Sequence, residues 1–186
     1  RFTDAEFVTR KDKSIIVVGR RMQVEIVDAD GRTRQSFRPA YGTRLMVKDK
    51  AKVSPGILLA DWDPFAQPIV SEVSGEAKLI DVIDGVSVRE ETDEATGISS
   101  RVVVDWRSAS KAADIKPSIQ VIDKNGAPVK LPNGSDAVYL LSVGAILSVS
   151  DGDKIEAGDT LARVTTGGAK TRDITGGLPR VAELFE

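Results

Sequence analysis

Side chains able to do acid–base or metal chemistry fall in a few short runs of this 186-residue chain. Glu90-Glu91-Thr92-Asp93-Glu94 crowds carboxylates into five residues. Paired carboxylates act as metal ligands or as an acid–base couple only when held at a fixed separation with pKa values pushed apart. A polar run leading into Ala95-Thr96-Gly97 reads instead as a solvated hairpin tip. Asp151-Gly152-Asp153 is a second acidic pair, and its central glycine marks a turn. Histidine and cysteine are both absent. That excludes a Ser-His-Asp triad, imidazole and thiolate metal sites, and a cysteine nucleophile. Catalysis would rest on carboxylates, lysines or hydroxyls, and an independent hydrolase of that kind would need a concave acidic pocket. The enzyme reading is weak for the chain taken alone.

The basic residues give no nucleic-acid signature. Net charge is −2 and the sequence pI about 5.4, whereas phosphate-binding modules carry a basic excess. Arg20-Arg21 and the alternating Lys48, Lys50 and Lys52 are local exceptions. Alternation places the three lysines on one face of a strand or hairpin, as a solvated edge or as a weak phosphate-contacting face. Arg32 and Arg34 read as surface charges. Hydrophobic residues make up 41% and charged residues 29%, a globular profile. No apolar run approaches the ~18 residues that would span a bilayer, so no membrane partner is expected. The missing cysteines suit a reducing, cytoplasmic setting. The chain opens on Arg1, not Met, which reads as a piece of a longer polypeptide.

The elements that would position these residues have strand periodicity. Short β-branched or alternating runs occupy Ser14–Val18, Met22–Val27, Ile69–Val73, Leu79–Ile83, Arg101–Val104, Ile119–Ile122, Val138–Leu141, Ala145–Val149 and Thr160–Val164. Turn pairs separate them: Asp84-Gly85, Asn125-Gly126, Asn133-Gly134 and Asp151-Gly152. Helical spacing appears only at Leu178, Val181, Ala182 and Phe185. The expected class is all-β, with a short C-terminal helix candidate or disordered tail. Trp62 and Trp106 follow strands and read as core or inter-unit packing.

The chain also repeats itself. A shift of 102 positions aligns Gly42–Trp62 with Gly144–Val164, pairing Gly42/Gly144, Leu45/Leu147, Asp49/Asp151, Lys52/Lys154, Gly56/Gly158 and Leu59/Leu161. Upstream, Ile26–Gly31 resembles Val121–Gly126, and Ser14–Val18 resembles Ser100–Val104. Two copies of one β module explain the pattern. Gly42 and Gly144 support a tight bend, and Gly56 and Gly158 fall where a positive φ is expected.

The repeat resembles barrel-sandwich hybrid folds, among them biotinyl and lipoyl carrier domains. Asp49-Lys50-Ala51 matches a lipoyl triplet. However, Lys50 lies inside the first hairpin turn, not on the separate turn that carriers modify. A carrier or scaffold domain is the alternative reading.

The tail carries a more specific likeness. Asp173-Ile174-Thr175-Gly176-Gly177-Leu178-Pro179-Arg180-Val181-Ala182-Glu183-Leu184-Phe185-Glu186 resembles the segment after the trigger-loop insertion in the β′ subunit of bacterial DNA-directed RNA polymerase. Tyr41-Gly42, Trp62-Asp63-Pro64, Glu72-Val73-Ser74-Gly75, Asp93–Gly97 and Gly158–Arg163 resemble the proteobacterial form of that insertion. The resemblance implies two sandwich-barrel hybrid modules in tandem, expected at 1–85 and 86–168, and a trigger-loop return segment at 169–186. In that segment Ile174, Thr175, Gly176, Gly177, Leu178, Pro179 and Arg180 would lead into the second trigger helix. It implies a non-catalytic insertion in a nucleotidyltransferase, affecting elongation, pausing and transcript cleavage. Implied partners are the β subunit, the rest of β′, downstream DNA and transcript-cleavage factors. The magnesium of the parent polymerase is held by an aspartate motif that this chain lacks, so no cofactor is expected here.

Overall fold

The computed structural model describes residues 1–92, 97–108 and 114–165. The Leu178–Phe185 helix candidate and the Ile174–Arg180 segment lie outside those residues. Within them the chain is all-β, apart from one 3-10 turn at Trp106–Ser108.

Seven strands come first: β1 (Phe2–Thr3), β2 (Phe7–Thr9), β3 (Ile15–Val17), β4 (Gln23–Val27), β5 (Thr33–Phe37), β6 (Arg44–Leu45) and β7 (Ala60–Asp61). Nine follow: β8 (Ala66–Val70), β9 (Gly75–Ile80), β10 (Val88–Thr92), β11 (Ser99–Val103), β12 (Ser118–Ile122), β13 (Val138–Leu140), β14 (Ala145–Leu147), β15 (Lys154–Ile155) and β16 (Thr160–Thr165). The first seven make sheets β1-β4-β5 and β2-β3-β6-β7. The other nine make β13-β12-β9-β15 and β10-β11-β14-β16-β8. Read against each other, β1-β4-β5 matches β9-β12-β13, and β2-β3-β6-β7 matches β10-β11-β14-β16. The second unit has one further strand on each sheet, β15 and β8.

Each unit has its own core. Ile15, Val17, Met22, Val24 and Leu45 pack together in the first. Val88, Val103, Trp106, Ile119, Ile155 and Leu161 are among the residues buried in the second. Because β8 and β9 pair with β16, β12 and β15, the sheets divide the chain between Asp61 and Ala66. The expected boundary at residue 85 is too late. Residues 66–80 are extended and apolar enough to end one unit or open the next, and only their pairing decides.

The duplication persists in the hydrogen bonds. Gly42 donates to the Val17 carbonyl and Gly144 to that of Val103, both at 2.8 Å. Met46 donates to Leu59 and Ser148 to Leu161, both at 2.9 Å. Asp28 Oδ1 accepts the N–H groups of Asp30 and Arg32. Asp123 Oδ1 accepts those of Asn125 and Ala127 in the same way, and these bonds hold its carboxyl below the ordinary aspartate range.

Lys50 has φ 59° and Ala51 donates to the Lys48 carbonyl, so this run sits at a turn, as expected of Lys50, and not along a strand. Two expectations change. The Leu79–Ile83 run ends as a strand at Ile80, because Asp81 takes φ 56° and the Ile83 carbonyl receives the N–H groups of the next turn. Glu90 and Glu91 are exposed residues of β10, paired with Arg101 and Ser100, and so precede the hairpin tip. Asp93 and Glu94 lie outside the described residues.

Candidate functional site

The four repeat glycines share one backbone state: φ is 82° at Gly42, 88° at Gly56, 84° at Gly144 and 92° at Gly158. They differ in what surrounds them. Nothing lies within 4 Å of where a Cβ would stand at Gly56 or Gly144. At Gly42 the Pro68 ring occupies that space, and at Gly158 the Arg10 side chain does. Each copy of the repeat thus contributes one glycine to the junction between the units, and it is a different glycine in each. Gly42 receives a side chain from β8, and Gly158 receives one from the loop after β2.

Polar contacts complete the junction. Arg10 crosses Gly158 and reaches Asp159 Oδ1 at 3.1 Å. Asp159 Oδ2 accepts the Glu156 N–H, and Gly158 donates to the Ser71 carbonyl at 2.7 Å. The Lys11–Glu156 ion pair is solvent-exposed and contributes little to stability. The Tyr41 hydroxyl accepts the Val70 N–H at 3.2 Å and donates to the Val70 carbonyl at 3.3 Å. Burial keeps the phenols of Tyr41 and Tyr139 above the ordinary tyrosine range, so both remain protonated bond partners rather than bases. Glu72 is also raised, by burial first and then by repulsion from Glu6 of the first unit.

Beside the junction opens a cleft of about 870 Å³, whose lining includes Tyr41, Asp61, Trp62, Asp63, Pro68 and Arg163. Trp62, expected in the core or in packing between the units, is 58% exposed. Trp106 is buried at 5% as expected, with the Arg107 guanidinium 5.2 Å from its ring centre. The difference is local. Trp62 follows the two-residue strand β7, leads into the turn in which Asp63 Oδ1 accepts the Phe65 N–H, and stays exposed. Sequence reasoning missed this, because type and spacing give Trp62 and Trp106 the same standing.

Among the described residues no cluster of three or more acidic side chains is placed to hold a metal ion. Acidic and basic side chains among them meet in ion pairs such as Arg10–Asp159, Lys11–Glu156 and Arg34–Asp28, while Asp28, Asp63 and Asp123 cap turns. No helix among the described residues is long and apolar enough to cross a membrane. No known family model matches the sequence.

Proposed function

We propose that the chain is the insertion in the trigger loop of a bacterial RNA polymerase β′ subunit, with the start of the segment that follows it. The observation that carries this reading is the Asp173–Glu186 run, long and unusual in composition. The paired β units support it, since the resemblance implies two such modules in tandem. So does the junction around Gly42 and Gly158, which ties the units together and lets a load on one reach the other.

The mechanism is linkage. A trigger loop folds and unfolds with each nucleotide added, and a bulky domain threaded into it biases that equilibrium through contacts that differ between the two states. A bias of ~1.4 kcal/mol would shift the ratio roughly tenfold. The chain itself supplies surfaces; nucleotide addition and its metal chemistry belong to the rest of the polymerase. The β subunit, downstream DNA and transcript-cleavage factors are the proposed contacts, and the cytoplasm the proposed location.

The test is to compare pause lifetimes of reconstituted polymerase with and without residues 1–168, a flexible linker taking their place. Altered lifetimes with nucleotide addition retained would support the reading. For the carrier alternative, the readout is intact mass after coexpression with biotin or lipoate ligase. Added prosthetic mass would overturn the polymerase reading.

A further inference from the structure

The two units differ most where β9 has only half a counterpart. Leu79 donates its N–H to Asp151 Oδ1 and Phe2 donates to Asp49 Oδ1, each at 2.7 Å. Both residues pair with the equivalent strand, Leu79 with Ile119 and Phe2 with Val24. Arg1 is therefore the counterpart of Lys78, and β1 corresponds to the end of β9. In the second unit the start of β9, Gly75 to Ala77, runs between two strands. On one side it pairs with Val121 and Ile122, and on the other with Lys154 and Ile155.

The counterparts of those neighbours stand open in the first unit. Val121 and Ile155 are buried, whereas Ile26 is half-buried and Val53 is 36% exposed. Leu161 is fully buried, and its counterpart Leu59 is only half-buried. Between them lies a groove lined by Ile26, Val27, Val47, Val53 and Leu59, with Lys48, Lys50 and Lys52 also along it. The pairing of β1 with β4 already continues into its mouth, since Glu25 donates to the Arg1 carbonyl at 2.8 Å and Arg1 N donates to the Glu25 carbonyl at 2.7 Å.

We propose that this groove is a strand-accepting site, filled by polypeptide that enters Arg1 from its N-terminal side. The second unit states which residues fit. At Gly75 a Cβ would run into the Ile122 carbonyl and the Val121 side chain, so the position that meets Val53 takes glycine. Ala77 is fully buried, so the position directly ahead of Arg1 takes a small or modest apolar residue. Glu76 between them points outward and is unrestricted. The occupant reads glycine, any residue, apolar residue, then Arg1. Its backbone bonds would satisfy the free edge at Lys52–Val53, and its third side chain would cover Ile26 and Leu59. The inference rests on the internal duplication alone and stands or falls independently of the polymerase reading.

The experiment adds Gly-Glu-Ala ahead of Arg1 in the full 186-residue chain and follows amide exchange over residues 50–54. Exchange there is expected to slow about tenfold, the scale of one or two net hydrogen bonds, with a higher melting midpoint. A Val-Glu-Ala extension, which moves the terminal charge equally but clashes at the first position, should give neither effect. Unchanged exchange with Gly-Glu-Ala, or equal protection from Val-Glu-Ala, would overturn the proposal.

Discussion

The side chain of Arg10 lies across the α-carbon of Gly158, filling the space a Cβ would need, and ends on Asp159 Oδ1 at 3.1 Å. Gly56, the same position in the other copy, has the same positive φ and open space around it. A single repeat position is a plain turn in one unit and a seat for the other unit's side chain in the next.

That contrast separates backbone strain from packing. Gly56→Ala should cost about 1 kcal/mol, the penalty of a side chain at positive φ. Gly158→Ala should cost about 2–4 kcal/mol, because the overpacking against Arg10 is added to it. In an Arg10→Ala background the Gly158→Ala cost should fall to the Gly56→Ala value. Denaturant midpoints of the four variants form the cycle that checks this, and additive costs would show that Arg10 does not set the space.

Tyr41 makes a second prediction at the same junction. Tyr41→Phe leaves the ring but removes the partner of the buried Val70 N–H. An orphaned buried donor should cost about 1–3 kcal/mol. Urea unfolding of the full chain measures it, and a loss near zero would mean that the bond to Val70 contributes nothing.

Thr43 runs the other way. Its hydroxyl is buried without a hydrogen-bond partner, and the matching position in the second unit is the fully buried Ala145. Thr43→Val keeps the shape and removes the unsatisfied group, so it should stabilise by about 1 kcal/mol. A lower melting midpoint for Thr43→Val would contradict the reading of that site.

The Glu6–Glu72 approach gives the fold a pH dependence. Burial, then repulsion from Glu6, raises the Glu72 carboxyl above the ordinary glutamate value. A group raised on folding favours the folded state while it is protonated, below the ordinary value. That contribution is lost as pH rises through the folded pKa. Glu72→Gln should therefore melt higher than the wild type at neutral pH, the gap closing in acid. Melting curves from pH 3 to 8 would check it; a gap that widens in acid would reverse the sign.

Local turn chemistry is what the sequence made legible. Asp28 and Asp123, or Gly42 and Gly144, carry their geometry in a few adjacent residues, so the duplication and its turns could be read before any pairing was known. Strands β5 and β10 could not, because Arg34-Gln35-Ser36 and Arg89-Glu90-Glu91 face solvent and show no apolar alternation. The unit boundary, the exposure of Trp62 and the seat of Arg10 on Gly158 depend on which distant strands meet. No window of sequence contains that information. The segment bearing the sharpest family likeness, Ile174–Arg180, lies outside the described residues.

The proposed action of the chain is to load a trigger loop. Its most direct test measures pause escape and hydrolytic transcript cleavage side by side, on one template, with the intact polymerase and with residues 1–168 replaced by a flexible linker. The account predicts that nucleotide addition survives while pause escape, cleavage or both shift severalfold, as a bias of ~1 kcal/mol on loop folding requires. All rates unchanged would contradict it, and would leave the paired β units as a docking surface with no hold on the trigger loop.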